Sequence, residues 1–305
     1  MSGFIARRLL LLVPTLWIIA TLTFFLVHAA PGGPFQSEHD IPAAAKAALF
    51  KKYGLDQPLL VQYGRFLTHA AVLDFGPSYA NPSKDVREIL FESAKVSFEL
   101  GGWALLIALI IGVPIGVWAA TRQNSVGDYA AMSAALLGVS IPNFVLGPLL
   151  VLWLSLSLFW LPPALWTGPA SRVLPVLTLS AIYIAYLARL TRGGMLETLR
   201  QDYVRTARAK GLDERRVVFR HAFRLGILPV VSYLGPATAR VVMGSVVVEQ
   251  IFAIPGLGRH LVNGAFNRDY TLVLGVVLFY AGFLLIFNLL VDLAYAWLDP
   301  RVELA

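Results

Sequence analysis

Runs without charge divide this chain. Leu9 to Val27 is almost wholly apolar, and between Arg8 and Glu38 only His28 can ionise. Leu100 to Thr121 is a second clean run, no charge falls between Tyr129 and Ser171, and a further run covers about Val173 to Ala188. Leu228 to Val248 holds only Arg240, and Thr271 to Leu298 only Asp292. A helix crosses ~30 Å of hydrocarbon with ~20 apolar residues. The run from Tyr129 is too long for one crossing, and Trp160-Leu161-Pro162-Pro163 with Gly168-Pro169 marks a turn that ends the third span near Phe159. Six transmembrane helices follow from this pattern. A membrane barrel would show ~10-residue alternating segments instead. Pro14, inside the first run, is tolerated in a membrane helix whose neighbours satisfy the freed carbonyl.

The first run has a rival reading as a secretory signal, with Arg7-Arg8 before it and Val27-His28-Ala29 resembling a cleavage site. Its apolar core exceeds the roughly 7–15 residues usual for a signal, which favours a retained helix. Residues 30–96 then form an external segment, opened by the helix-stopping Ala30-Pro31-Gly32-Gly33-Pro34. It has a short helical pattern at Ala43–Tyr53 and a looser stretch through Leu73-Asp74-Phe75-Gly76-Pro77-Ser78-Tyr79, and reads as a small cap. The expected organisation is a first helix over 1–29, the cap over 30–96, and a core of five helices over 97–305 that carries a polar loop at 189–227.

Composition agrees with a membrane protein. Of 305 residues 57% are apolar and only 14% charged, with a mean hydropathy of +0.69. Soluble domains carry about 25% charged residues. The 12% of aromatic residues excludes a disordered chain. The absence of cysteine excludes disulfides, thiolate metal sites and cysteine nucleophiles. A net charge of +7 could suggest nucleic acid. However, ten Lys and Arg lie between Arg189 and Arg224, against Glu197, Asp202, Asp213 and Glu214. Arg7, Arg8, Arg122 and Arg301 fall on the same side, whereas the opposite short loops hold only Arg172, Arg259 and Arg268. The bias of positive residues to cytoplasmic loops places both termini inside and accounts for the basicity without nucleic acid.

Catalytic patterns are missing. There is no HExxH, no GxSxG and no Gly-Lys pair of a phosphate-binding loop, and the five histidines have no ligand spacing. No metal site and no cofactor are expected in this chain. Six spans with neither a catalytic set nor an ATP site suggest a conduit driven by an ion gradient or by another polypeptide.

The loop after the fourth span is the informative segment. Leu196, Leu199, Tyr203 and Ala207 make one helical stripe, Gly211 permits a turn, and Asp213 can cap a second short helix running to Arg224. That second helix separates Val217, Val218, Ala222 and Phe223 from Arg215, Arg216, Arg220 and Arg224. It reads either as an interfacial helix on anionic lipid or as a docking helix for a soluble partner.

Arg205-Thr206-Ala207-Arg208-Ala209-Lys210-Gly211-Leu212, then Arg220-His221-Ala222 and Leu228-Pro229, resembles the EAA loop of ABC-importer membrane subunits, and more narrowly their peptide-permease branch. The resemblance runs through Pro14-Thr15-Leu16, Asp74-Phe75-Gly76-Pro77-Ser78, Ile141-Pro142-Asn143-Phe144, Ile254-Pro255-Gly256-Leu257-Gly258 and Asn263-Gly264-Ala265-Phe266-Asn267-Arg268-Asp269-Tyr270. Together these are similar to the B-type permease of oligopeptide importers. Arg205 stands where the broad pattern has Glu, and His221-Ala222-Phe223-Arg224 stands where it closes on Ile-x-Leu-Pro.

The resemblance implies an all-α type I permease fold in the bacterial cytoplasmic membrane and a transport subunit rather than an enzyme. It implies a homologous second permease, two ATPase subunits that hold ATP and Mg, an external substrate-binding protein and a peptide substrate. Dipeptides, nickel or a peptide-like compound are alternative cargoes, and an ion-coupled carrier is an alternative class. ATPase coupling is expected at Ala207, Arg208, Gly211, Asp213, Arg216, Phe219, Arg220 and His221. Pro255, Gly256 and Gly258 would face the delivering protein.

Arg240 sits mid-span, where an arginine costs ~2.5–3.5 kcal/mol on insertion scales. It pairs with a neighbour such as Glu99 or Glu249, snorkels to the membrane surface, or lines the pathway, where it would meet a peptide carboxylate. Glu249, placed with it as a pathway residue, reads more simply as a solvated helix end. Gly112 and Gly116 would permit close helix packing, and Pro236 would kink its span.

Overall fold

A computed structural model describes residues 2–35 and 43–298; Glu38, His39 and Arg301 of the preceding argument lie outside them. The described residues form helices and no strand, with one isolated bridge between Pro77 and Asp85. They fold as two compact units, the described residues up to 97 with those from 255 onward, and residues 98–254.

In the first unit α1 (Ser2–Ala29) packs on α12 (Tyr270–Leu298), with α11 (Leu257–Phe266) also against α12. The polar segment after α1 holds α2 (Ala43–Tyr53) and α3 (Leu59–Ala70). The second of these lies in the stretch read as loose, although Leu59, Tyr63, Phe66, Leu67 and Ala70 recur at helical spacing on a face away from Gln62, Arg65 and His69. Aromatic contacts hold α3 to α1: Phe24 stacks on Phe66 with centroids 5.5 Å apart, and Thr21 shares a 2.7 Å hydrogen bond with Tyr63.

α4 (Val86–Thr121) begins in the first unit and ends in the second. In the second unit α5 (Val126–Ser140), α6 (Asn143–Ser157) and α10 (Leu228–Ile251) pack on the central α7 (Pro169–Leu199). Gly112 and Gly116 lie where α4 meets α7. A Cβ on them would stand 2.7 Å from the Ile184 carbonyl oxygen and 2.5 Å from that of Ala188, so their smallness is used within the chain.

Among the described residues four helices are long and apolar enough to cross a membrane, over Leu10–Ala29, Val86–Thr121, Pro169–Leu199 and Tyr270–Leu290. Two bent pairs also pass by length and composition, and the number rises to as many as six when each is taken as one span. The expected third span is one of them: α5 and α6 meet at 103°. Pro142 lacks the N–H that would continue α5 and disfavours helical geometry at Ile141, whose backbone is extended. The other joins α9 (Glu214–Gly226) to Leu228–Val241 at 47°. α10 continues as one helix through Pro236.

Glu249 is not a solvated helix end. It is fully buried and accepts a 2.6 Å hydrogen bond from Ser245 Oγ one turn earlier. Glu99 accepts instead from Arg172, at 3.2 Å, and from Trp166 Nε1, at 3.3 Å.

Candidate functional site

The polar loop after α7 folds back on the ends of the helices that carry it. α7 stops at Leu199, Thr198 offers its carbonyl to the Gln201 N–H, and α8 (Asp202–Ala209) starts in a new direction. The expected stripe is therefore broken at Arg200. The buried face of α8 is Val204 and Ala207, while Tyr203 stays 40% exposed. Gly211 turns the chain at φ +76°, a left-handed conformation that glycine adopts without strain. Asp213 then caps α9 by accepting from the Arg215 N–H at 3.1 Å.

The middle of α9, Val217–Ala222, is wound as a π-helix. The wider winding brings Val217, Val218 and Ala222 to one side, where they join Val117 and Ala120 of α4, Met195 of α7, and Val204 and Ala207 of α8 in one buried cluster. Arg216, Phe219 and Arg220 are left outside and His221 half-buried. Of the expected coupling residues, Ala207 is core, whereas Arg208, Gly211, Asp213, Arg216, Phe219 and Arg220 form the exposed rim. Arg208 holds the turn from outside, donating from Nε and Nη2 to the two Glu214 carboxylate oxygens at 3.1 and 2.7 Å. That bond keeps the Glu214 carboxyl below the ordinary carboxylate range.

Two features close the loop at its base. A Cβ on Gly194 would stand 2.3 Å from the Gly226 carbonyl oxygen, and one on Gly226 would stand 2.6 Å from Met195 Sδ, so the loop leaves against the backbone by which it entered. Beside them Arg192 binds Asp128, the residue that also accepts from the Asn124 N–H at 3.0 Å. This pair joins the start of α5 to the end of α7. Asp128 lay at the edge of a charge-free run, and Arg192 was one of ten positives in the loop; their separation by 64 positions hid the pairing.

Arg240, on α10, is exposed in this chain and within electrostatic reach of Tyr183 and Tyr233. Tyr233 lies 5.8 Å from Tyr186, whose ring in turn carries the Arg189 guanidinium at 5.2 Å. Phenol and guanidinium groups thus line the meeting of α7 and α10.

The first unit carries the other expected surface. Pro255 is exposed while Gly256, Leu257 and Gly258 are buried, and the Leu257 N–H donates to Ser97 Oγ at 2.9 Å. Buried Asp269 gathers the neighbouring loops. It accepts from Ser78 Oγ, from the Ala80 and Leu272 N–H groups at 3.1 Å each, and from Thr271 Oγ1 at 3.0 Å. A cavity of about 510 Å³ opens here, lined in part by Asn81, Glu92, Pro255, His260 and Asn263. Burial, aided by Arg259 and Lys84, lowers the pKa of His260 and so disfavours its charged form.

Residues 112–304 match the family described as binding-protein-dependent transport system inner membrane components, and residues 1–81 match the N-terminal region of such components. The chain is 45% identical to the oligopeptide transport system permease protein OppB of Salmonella typhimurium, over 99% of this chain and 100% of that one. It is 44% identical to OppB of Escherichia coli K12, with the same coverage. The dipeptide transport system permease protein DppB of Bacillus subtilis is 44% identical, over 100% of this chain and 99% of that one. A solved amino acid ABC transporter with histidines superposes at a TM-score of 0.52 and 19% identity, over 68% of this chain and 92% of that one, and so shares the fold. The helical core, the folded-back loop and these full-length likenesses agree: the chain belongs to the family of binding-protein-dependent transport system inner membrane components.

Proposed function

We propose that the chain is the permease subunit of an ATP-driven importer, forming half of a pathway for oligopeptides across the bacterial cytoplasmic membrane. One observation carries the coupling part of this reading. α9 buries one side in the ends of α4, α7 and α8 and presents Arg216, Phe219 and Arg220 on the other. A helix so built is a rigid handle: force on its exposed side reaches the spans through a packed core rather than through slack chain.

In this reading both termini and the loop face the cytoplasm, where two ATPase subunits supply ATP binding and hydrolysis with Mg. A second, homologous permease completes the pathway. An external binding protein delivers peptide to the side bearing Pro255, Gly256 and Gly258. Arg208, Gly211 and Asp213 set the angle of α9, Arg216, Phe219, Arg220 and His221 meet the ATPase, and Ala207 anchors the handle. Arg240 lies among the tyrosines of α7 and α10 and meets the carboxylate of a passing peptide. Glu249 stands at the far end of the same helix.

The 44% identity to a dipeptide permease supports a second cargo reading of the same machinery, with shorter peptides. Purification of the chain with its associated subunits tests the main one. An ATPase that co-purifies, is lost when residues 211–224 are replaced by a flexible linker, and drives uptake of labelled peptide is the expected result. Uptake by the chain alone on an ion gradient would overturn it.

A further inference from the structure

Between the end of α4 and α9 lies an open groove of about 590 Å³, of whose lining the coupling reading assigns only Phe219 to the ATPase. It is lined by Val113, Pro114, Val117 and Val218, with Trp118 and Phe219 beside them, 40% and 58% exposed. Along α4 it runs from Val113 to Thr121, about 12 Å at the helical rise, most of the half-thickness of a ~30 Å hydrocarbon layer. The mouth is basic. Arg215 lines it, the Arg122 guanidinium lies 5.2 Å from the Trp118 ring, and the one acid present, Glu214, is already bound by Arg208. An apolar slot of this length, closed by a tryptophan at helix-end depth and crowned by two guanidinium groups, has the chemistry of a phospholipid site. Tryptophan marks the headgroup level, and basic pockets between spanning helices on the cytoplasmic side take anionic headgroups.

We propose that this groove holds one anionic membrane phospholipid, its acyl chain along Val113, Val117 and Trp118 and its phosphate on Arg122 and Arg215. The bound lipid bridges α4 and α9, so the position of the coupling helix depends on the charge of the surrounding membrane. The effect on α9 rests on the proposed coupling role, whereas the lipid site itself requires only that this side of the chain meet a lipid leaflet.

The test uses the full transporter complex in nanodiscs of phosphatidylcholine alone or of equal parts phosphatidylcholine and phosphatidylglycerol. Native mass spectrometry should find phosphatidylglycerol retained in preference. Arg122→Gln with Arg215→Gln should weaken that retention by about fivefold for each arginine. Lys51→Gln with Lys52→Gln, a matched loss of charge in α2, should leave it unchanged. A photoreactive diazirine side chain at the exposed Thr121 should give an adduct of phosphatidylglycerol mass, a readout that survives if the double variant fails to assemble. Equal retention of both lipids, an equal loss in the α2 control, or an adduct between position 121 and a permease or ATPase chain would overturn the proposal.

Discussion

Arg192 holds Asp128 by two parallel bonds, Nε to Oδ1 at 2.6 Å and Nη2 to Oδ2 at 2.7 Å. The two ends of this pair are unequal in exposure. The Asp128 side chain is 1% exposed and that of Arg192 26%. Removing the arginine strands a buried carboxylate; removing the carboxylate leaves an arginine that reaches water. Arg192→Ala should therefore destabilise the chain by about 3–5 kcal/mol, the cost of breaking a buried pair. Asp128→Asn should cost less, and thermal unfolding of the purified complex gives the order.

The two loop glycines should respond differently to substitution. Gly211 needs its left-handed backbone but has open space around it. Gly211→Ala should cost about 1–2 kcal/mol, and Gly211→Asn should recover most of that, since asparagine visits this conformation. Gly194 is barred by contact rather than by conformation. Gly194→Asn should be worse than Gly194→Ala, itself costing about 1–3 kcal/mol as an overpacked site. Protease resistance of the loop reports both orders.

Arg216 and Arg220 lie on the exposed side of α9. Replacing both with alanine should leave folding within about 0.5 kcal/mol and weaken ATPase association by about tenfold or more. Val218→Asp, on the buried side, should abolish folding of the loop. Titration of the ATPase onto the reconstituted permease separates the two effects.

The Arg208–Glu214 bond sets a pH response. The Glu214 carboxyl is held below its ordinary 4.5, so the bond contributes fully at pH above that value and is lost as pH falls through the depressed folded-state pKa. Hydrogen exchange across residues 208–216 should be insensitive to pH near neutrality once the intrinsic rate is removed, and should lose protection only in acid. Glu214→Gln should abolish that acid step.

Arg240→Ala should leave assembly intact and lower uptake selectively for peptides with a free carboxyl terminus, relative to amidated ones. Equal uptake of the two forms by wild type and variant would remove Arg240 from the pathway.

The spans could be read from the sequence because a bilayer imposes a local rule, an unbroken apolar run. The folded-back loop was partly legible for the same reason: Gly211 and Asp213 act within one turn of the chain. The 103° corner at Pro142 was visible as a proline but not as an angle, since neighbouring packing sets the angle. α3 was legible, since Leu59, Tyr63, Phe66, Leu67 and Ala70 share one helical face, but what that face packs on was not, because its contacts to α1 join residues some forty positions apart. Glu249 misled because a glutamate at a helix end is ordinarily wet; only the packing of α10 puts it in the interior. The pairing of Asp128 with Arg192 is non-local in the same way.

The closure at Gly194 and Gly226 has a mechanical consequence. A loop tethered at two separated points can absorb a push by changing its own shape. Here entry and exit touch backbone to backbone, so the loop is a ring with a single hinge line, and its displacement passes to α7 and α10 together. In the coupling proposed above, lengthening the loop elsewhere would leave this seam intact, whereas one methyl group at Gly194 would pry it open.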